Sequence, residues 1–219
     1  AEDHRNRSNL YLHKEDWDLC EKLSLQSLEI AEEMNDLRNV CYDSRTLGKV
    51  YAEKKSRNKQ EEYYKKALEV SIKLKDEAEQ RIDHRNLGEL CLGRGYKGRS
   101  EDHFKAALEI SVKKSEKKEI ATDYRHMGNL SFNNGDRVEA EKYYRDALNL
   151  TLEVGDKNGT AQDYTYIGNL KFKDGQLDEA EVNFDKAADY FREAKNNASL
   201  LQLFLTVARM ELLISRKEQ

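Results

Sequence analysis

The chain has 219 residues, 37% of them charged and only 38% hydrophobic, with a formal net charge of −4. So polar a composition excludes a thick globular core, and the 9% aromatic content excludes a disordered chain. The acidic balance argues against nucleic acid as a partner, because affinity for phosphate comes from a surplus of Lys and Arg.

What fits is a thin, mostly helical architecture, since proline is absent and Leu, Ala, Glu and Lys abound. No run reaches the roughly 18 apolar residues that a membrane span needs. The opening AEDHRNRSNL reads neither as a signal peptide nor as a natural start, so the chain is expected to be a piece of a longer protein. Cys20, Cys41 and Cys91 lack metal-ligand spacing and are read as reduced packing residues of a cytoplasmic protein. No cofactor or metal is expected.

Taken in chain order, residues 1–40 form a weak first unit, with Ser8, Tyr11, Ser24 and Ser27 at positions that later units fill more strictly. From there a forty-residue period is plain. An apolar residue followed by glycine recurs at Leu47-Gly48, Leu87-Gly88, Met127-Gly128 and Ile167-Gly168; alanine recurs at Ala67, Ala107, Ala147 and Ala187. An aromatic precedes each alanine by three residues, at Tyr64, Phe104, Tyr144 and Phe184. The units are therefore 1–40, 41–80, 81–120, 121–160 and 161–200. In each, the fourth, seventh, eighth and eleventh residues define the core stripe of helix A, a turn follows at Gly95, Gly135 or Gly175, and a second stripe such as Ala140, Tyr144, Ala147 and Thr151 defines helix B. Small residues let two antiparallel helices cross closely. Residues 201–219 begin a sixth helix A (Leu201, Leu205, Ala208, Leu212) and are read as a capping helix, or truncated sixth repeat, with Arg209 and Glu211 on its outer side.

As a set, these residues resemble the tetratricopeptide repeat across 1–200. The strings EVGDKNGTAQDYTYIGNL and GQLDEAEVNFDKA are similar to the long-unit subgroup of Pins/LGN-type adaptors, nephrocystin-like proteins, Rap-type regulators and receptor-like ATPase arrays. The resemblance implies an all-α fold, an α-solenoid of antiparallel helix pairs in a right-handed superhelix. It also implies a protein-binding scaffold, not an enzyme. The unit is six residues longer than the usual 34, and the extra length is assigned to helix B and its exit turn.

Gly93-Arg-Gly-Tyr-Lys-Gly98 matches a dinucleotide-binding string but fills an A–B turn, where it is only a turn. His84 and His103 replace aromatics and are read as packing residues. Asp43, Asp83, Asp123 and Asp163 stand two unit positions before arginine columns at Arg5, Arg45, Arg85 and Arg125, so that each Arg can reach the Asp of the next unit. Thr165 and Leu203 end both columns together. The column Glu21, Glu61, Glu101, Glu141 and Glu181 is assigned to the helix-B dipole.

Helix A carries a second stripe on the side that the core leaves over. There a peptide groove is expected from Arg45, Lys49, Arg85, Glu89, Arg125, Asn129, Phe132, Gln162, Asn169 and Phe172. Amides and guanidinium groups hold polar atoms of a protein or peptide partner, acidic or amide-rich, and Phe takes its side chains. The asparagines match those that follow glycine in the Pins/LGN subgroup; Lys49 and Glu89 depart from it. Two alternatives stand beside the groove. One is an anionic partner or nucleic acid on a basic edge of Lys54, Lys55, Arg57, Lys59, Arg94, Lys97 and Arg99; the other is a structural or sensory arm of a larger receptor-like protein.

Overall fold

A helix must cap its first N–H groups and its last carbonyls, and this chain does so every twenty residues. The computed structural model describes residues 16–215, with ten α-helices and no strand among them. It divides into two compact units, Ala1–Ile110 and Ser111–Gln219. The first holds α1 (Trp17–Glu33), α2 (Leu37–Glu53), α3 (Arg57–Lys73), α4 (Glu77–Gly93) and most of α5 (Lys97–Lys113). The second holds α6 (Lys117–Asn134), α7 (Arg137–Glu153), α8 (Lys157–Lys173), α9 (Leu177–Glu193) and α10 (Asn197–Ser215). The even-numbered helices are helix A of their pairs and the odd-numbered ones helix B. Positions 41, 81, 121, 161 and 201 are each the fifth residue of a helix A.

One device makes all nine turns. Asn35, Lys55, Lys75, Gly95, Ser115, Gly135, Gly155, Gly175 and Lys195 have positive φ. Such a residue lets the next N–H reach back to the carbonyl five residues earlier, as Asp36 N does to Ala31 O at 2.8 Å while Asn35 N donates to Glu32 O at 3.0 Å. The residue after it is already the next N-cap: Asp36, Asp76, Asp136 and Asp156 each accept from the N–H three residues on. Because helix A and helix B are equally long at 17 residues in three of the pairs, α1 aside, the extra length of the unit is not confined to helix B as the sequence reading has it.

Within a pair the close crossing lies where the spacing places it. A Cβ built on Gly48, Gly88, Gly128 or Gly168 would fall 2.2–2.6 Å from the ring of Tyr64, Phe104, Tyr144 or Phe184. The aromatic of helix B thus lies flat on the glycine of helix A, and each ring is buried. The core of each unit grows along this seam, through Leu28, Leu47, Tyr51 and Val70 in the first and through Tyr144, Leu148, Ile167 and Leu170 in the second.

The last helix buries Leu203 and packs Leu200, Val207 and Met210 on α9. Its outer side is not the charged one expected of a cap: Arg209 is exposed, but so are Leu201, Phe204, Leu205 and Leu212.

Candidate functional site: the second stripe of helix A

The arginine and aspartate columns meet at two of the four expected rungs. Arg45 Nε lies 2.8 Å from Asp83 Oδ1, and Arg125 Nε 2.5 Å from Asp163 Oδ1. Both aspartates are fully buried and both arginines are 8% exposed. Each carboxylate is also held by a hydroxyl from the intervening helix B. Thr151 donates to Asp163 at 2.7 Å, Ser111 to Asp123, and Ser71 bonds Asp83. This hydroxyl column, twelve residues before each Asp, is absent from the sequence reading. Burial raises the pKa of Asp83 and Asp163 while the arginines pull the other way. Arg5 lies outside the described residues.

Of the remaining groove residues, Phe132 and Phe172 pack against the core clusters of the second unit. In the first unit Lys49 and Glu89 are exposed and Arg85 half-buried. They share a face: the Glu89 carboxylate feels the charges of both Arg85 and Lys49. In the second unit Gln162 is exposed, and Asn129, Phe132, Asn169 and Phe172 are half-buried. Asn129 Oδ1 accepts from the Tyr144 hydroxyl at 2.7 Å, and Phe132 lies under the Arg137 guanidinium at 4.2 Å. Asn169 differs. Phe184 stands where Tyr144 stands one unit earlier, no hydroxyl reaches Asn169, and its Oδ1 is buried without a hydrogen-bond partner. Phe172 forms one wall of an apolar cavity of about 300 Å³ with Leu177, Phe184, Phe204 and Met210.

The basic edge is largely committed. Lys54 pairs with Asp18 and Glu21, Arg94 and Arg99 with Glu61, and Lys59 sits 4.8 Å over the Tyr51 ring. Lys55 occupies a left-handed turn position, and Arg57 and Lys97 are exposed. Three members of the glutamate column thus reach a neighbouring repeat, Glu21 to Lys54, Glu61 to Arg94 and Glu141 to Lys171 at 3.1 Å, while Glu101 pairs with Lys105 in its own helix. Hydrogen bonding from Lys65 and Arg99 holds the Glu61 carboxyl down at about 2 against the pull of desolvation.

His84 and His103 face each other across the α4–α5 pair with Nδ1 atoms 3.0 Å apart, in the register that Tyr124 and Tyr143 fill forty residues on. Burial, and for His84 the neighbouring imidazole, lower both pKa values, His84 to about 4. Among the described residues no group of three or more His, Cys, Asp or Glu could hold a metal, and no helix is long and apolar enough to cross a membrane.

No curated protein matches the chain. Residues 119–193 and 46–71 match models of the tetratricopeptide repeat. Solved structures agree on the fold. BtubC (BKLC) from P. vanneervenii is 22% identical with a TM-score of 0.71, over 86% of this chain and 78% of that one. A Rap protein complexed with Competence and Sporulation Factor is 17% identical with a TM-score of 0.77, over 98% of this chain and 66% of that one. The Rap conjugation gene regulator of the plasmid pLS20, in complex with the Phr* peptide, is 14% identical with a TM-score of 0.74, over 94% and 57%. This chain thus spans about two thirds or less of either Rap protein. The fold is an α-solenoid, and within it residues 46–71 and 119–193 carry the tetratricopeptide pattern.

Proposed function

We propose that the protein is a non-catalytic scaffold for protein–protein interaction, built of five forty-residue units and a terminal helix, and that the second stripe of helix A binds an extended peptide. The observation that carries this reading is Asn169: an acceptor left without a partner, on the stripe, two helical turns from the exposed Gln162. A peptide N–H satisfies that oxygen, and Phe132 and Phe172 offer apolar contact on the same stripe. Arg45 and Arg125 serve the stripe only with what the ladder leaves of them. Two Rap structures of the same fold are complexes, one with a named peptide, which supports a peptide partner here. Three buried free cysteines suit a reducing cytoplasm.

The basic edge is the weaker reading because four of its seven cations, Lys54, Lys59, Arg94 and Arg99, already have carboxylate or ring partners within the protein. A randomised peptide library selected on the wild-type chain, and counter-selected on Asn169→Leu with Gln162→Ala, tests the assignment. Enrichment of peptides that the double variant fails to hold is expected; peptides held equally by both place binding elsewhere.

A further inference from the structure

A cavity of about 210 Å³ opens in the first unit where the first two turns of α3 meet the last two of α4. Its polar lining is Arg57, Gln60 and Tyr64 from α3, Asn86 and Glu89 from α4, and Arg94 at the C-cap of α4. Tyr64 is the ring that lies on Gly48, and Glu89 belongs to the second stripe, so the cavity lies between the packed seam and the proposed peptide face.

The chemistry of this lining is selective. Asn86 Nδ2 is buried and donates to nothing among the described residues. A buried donor without an acceptor is where an incoming oxygen gains most. Arg94 is taken up by Glu61 and Asn58, whereas Arg57 is exposed at the start of α3 and forms no ion pair among the described residues. Glu89 supplies an acceptor. A carboxylate entering the cavity meets the charge of Glu89, and a cation meets Arg57 and Arg94. A neutral group that carries a carbonyl oxygen beside an NH2 meets neither penalty.

The second unit carries a related set, although Tyr166 stands eighty residues beyond Asn86. Arg137 and Asn169 stand eighty residues beyond Arg57 and Glu89. There Arg137 Nη1 and Asn169 Oδ1, a donor and an acceptor, are both buried without a partner among the described residues.

We propose that the α3–α4 cavity binds a primary carboxamide, the side chain of a glutamine or asparagine in a partner segment. Asn86 Nδ2 and the Arg57 guanidinium donate to its oxygen and Glu89 accepts from its NH2. The proposal rests on the peptide-binding reading of the stripe and names what one subsite selects.

Its test uses the full chain with 15N-labelled side-chain amides and three capped residues as probes: N-acetyl-glutamine N-methylamide, the glutamate analogue and the alanine analogue, which offers main-chain amides only. The glutamine probe is expected to shift the Asn86 NH2 signals saturably, with a Kd on the order of 1 mM for so small a ligand. Glutamate and alanine should bind at least about tenfold more weakly, a difference of about 1.4 kcal/mol. Glu89→Leu and the surface variant Arg57→Gln should each reduce glutamine binding, so that misfolding of one leaves the other informative. An alanine probe that binds as well as glutamine assigns the cavity to main-chain amides and overturns the proposal. Equal binding of glutamate, or no shift at all, also overturns it. Because these probes report on the first unit and the stripe is tested through Asn169 in the second, failure here is distinct from failure of the peptide reading.

Discussion

Arg125 Nε and Asp163 Oδ1 lie 2.5 Å apart with the carboxylate fully buried, and Thr151 closes the other carboxylate oxygen at 2.7 Å. One unit further on, the same three registers read Thr165, Leu203 and Phe191: the charged triad is replaced as a set by an uncharged one, with Leu203 and Phe191 in one cluster. Breaking a buried pair leaves an uncompensated charge, while replacing both partners removes the charge. Asp163→Ala should therefore cost about 3–5 kcal/mol. Arg125→Thr combined with Asp163→Leu, copying the last unit, should cost clearly less than that single change. Thr151 remains satisfied in both, since it also donates to Leu148 O at 3.0 Å. Urea midpoints followed by circular dichroism decide between this and simple additivity.

Five turns hold a non-glycine residue at positive φ, three of them lysines. Lys55→Gly, Lys75→Gly and Lys195→Gly should each stabilise the protein by about 0.5–1 kcal/mol, through relief of left-handed strain at a position where glycine is the common residue. A fall in the urea midpoint in any of the three would contradict the turn geometry.

Glycine substitutions should split in sign. Gly128→Ala pushes a methyl to 2.5 Å from Tyr144 Cε1 and is expected to cost about 1–3 kcal/mol. Gly98→Ala, inside α5 with nothing within 4 Å, should gain up to about 1 kcal/mol of helix propensity. Thermal unfolding of the two variants side by side is the measurement; equal effects would show that the ring does not rest on Gly128.

The histidine pair predicts an acid limit. Its folded pKa values are depressed below the ordinary 6.5, so its contribution is present above that pH and is lost as pH falls toward about 4. Half-burial reduces the effect to about 1–2 kcal/mol. His84→Tyr with His103→Tyr, the pair used at Tyr124 and Tyr143, should flatten stability between pH 6.5 and 4. An unchanged slope would remove the histidines from the acid response.

The helix pairs, the glycine–aromatic crossing and the Arg–Asp rungs were legible in the sequence because each is a fixed residue type at a fixed period. The hydroxyl at 71, 111 and 151 was visible in the same way, yet Ser and Thr are common on helix surfaces, and only burial beside a carboxylate gives them a role. The glutamate column hid its partners because they sit at two offsets, thirty residues on at Lys171 and thirty-three at Lys54 and Arg94. The stripe was drawn as the side left over by the core, yet Phe132 and Phe172 also pack against the core clusters. What periodicity could not convey is which stripe residues are already spent: Asn129 on Tyr144, Arg45 and Arg125 on the ladder, Asn169 on nothing.

That difference sets the most direct test of the peptide-binding stripe. A peptide selected on the wild-type chain is titrated by fluorescence anisotropy against Asn169→Leu, against the charge-neutralised edge (Lys54→Gln, Lys55→Gln, Arg94→Gln and Lys97→Gln), and against wild type. Because Asn169 Oδ1 bonds nothing in the free protein, its loss is expected to leave the unfolding temperature within a few degrees, which a change of about 0.5 kcal/mol permits. The account predicts at least a tenfold weaker Kd for Asn169→Leu, about 1.4 kcal/mol or more, with the edge variant within about twofold of wild type. Undiminished affinity in Asn169→Leu, with binding lost on neutralising the edge, would contradict it and move the site to the A–B turns of α2–α3 and α4–α5.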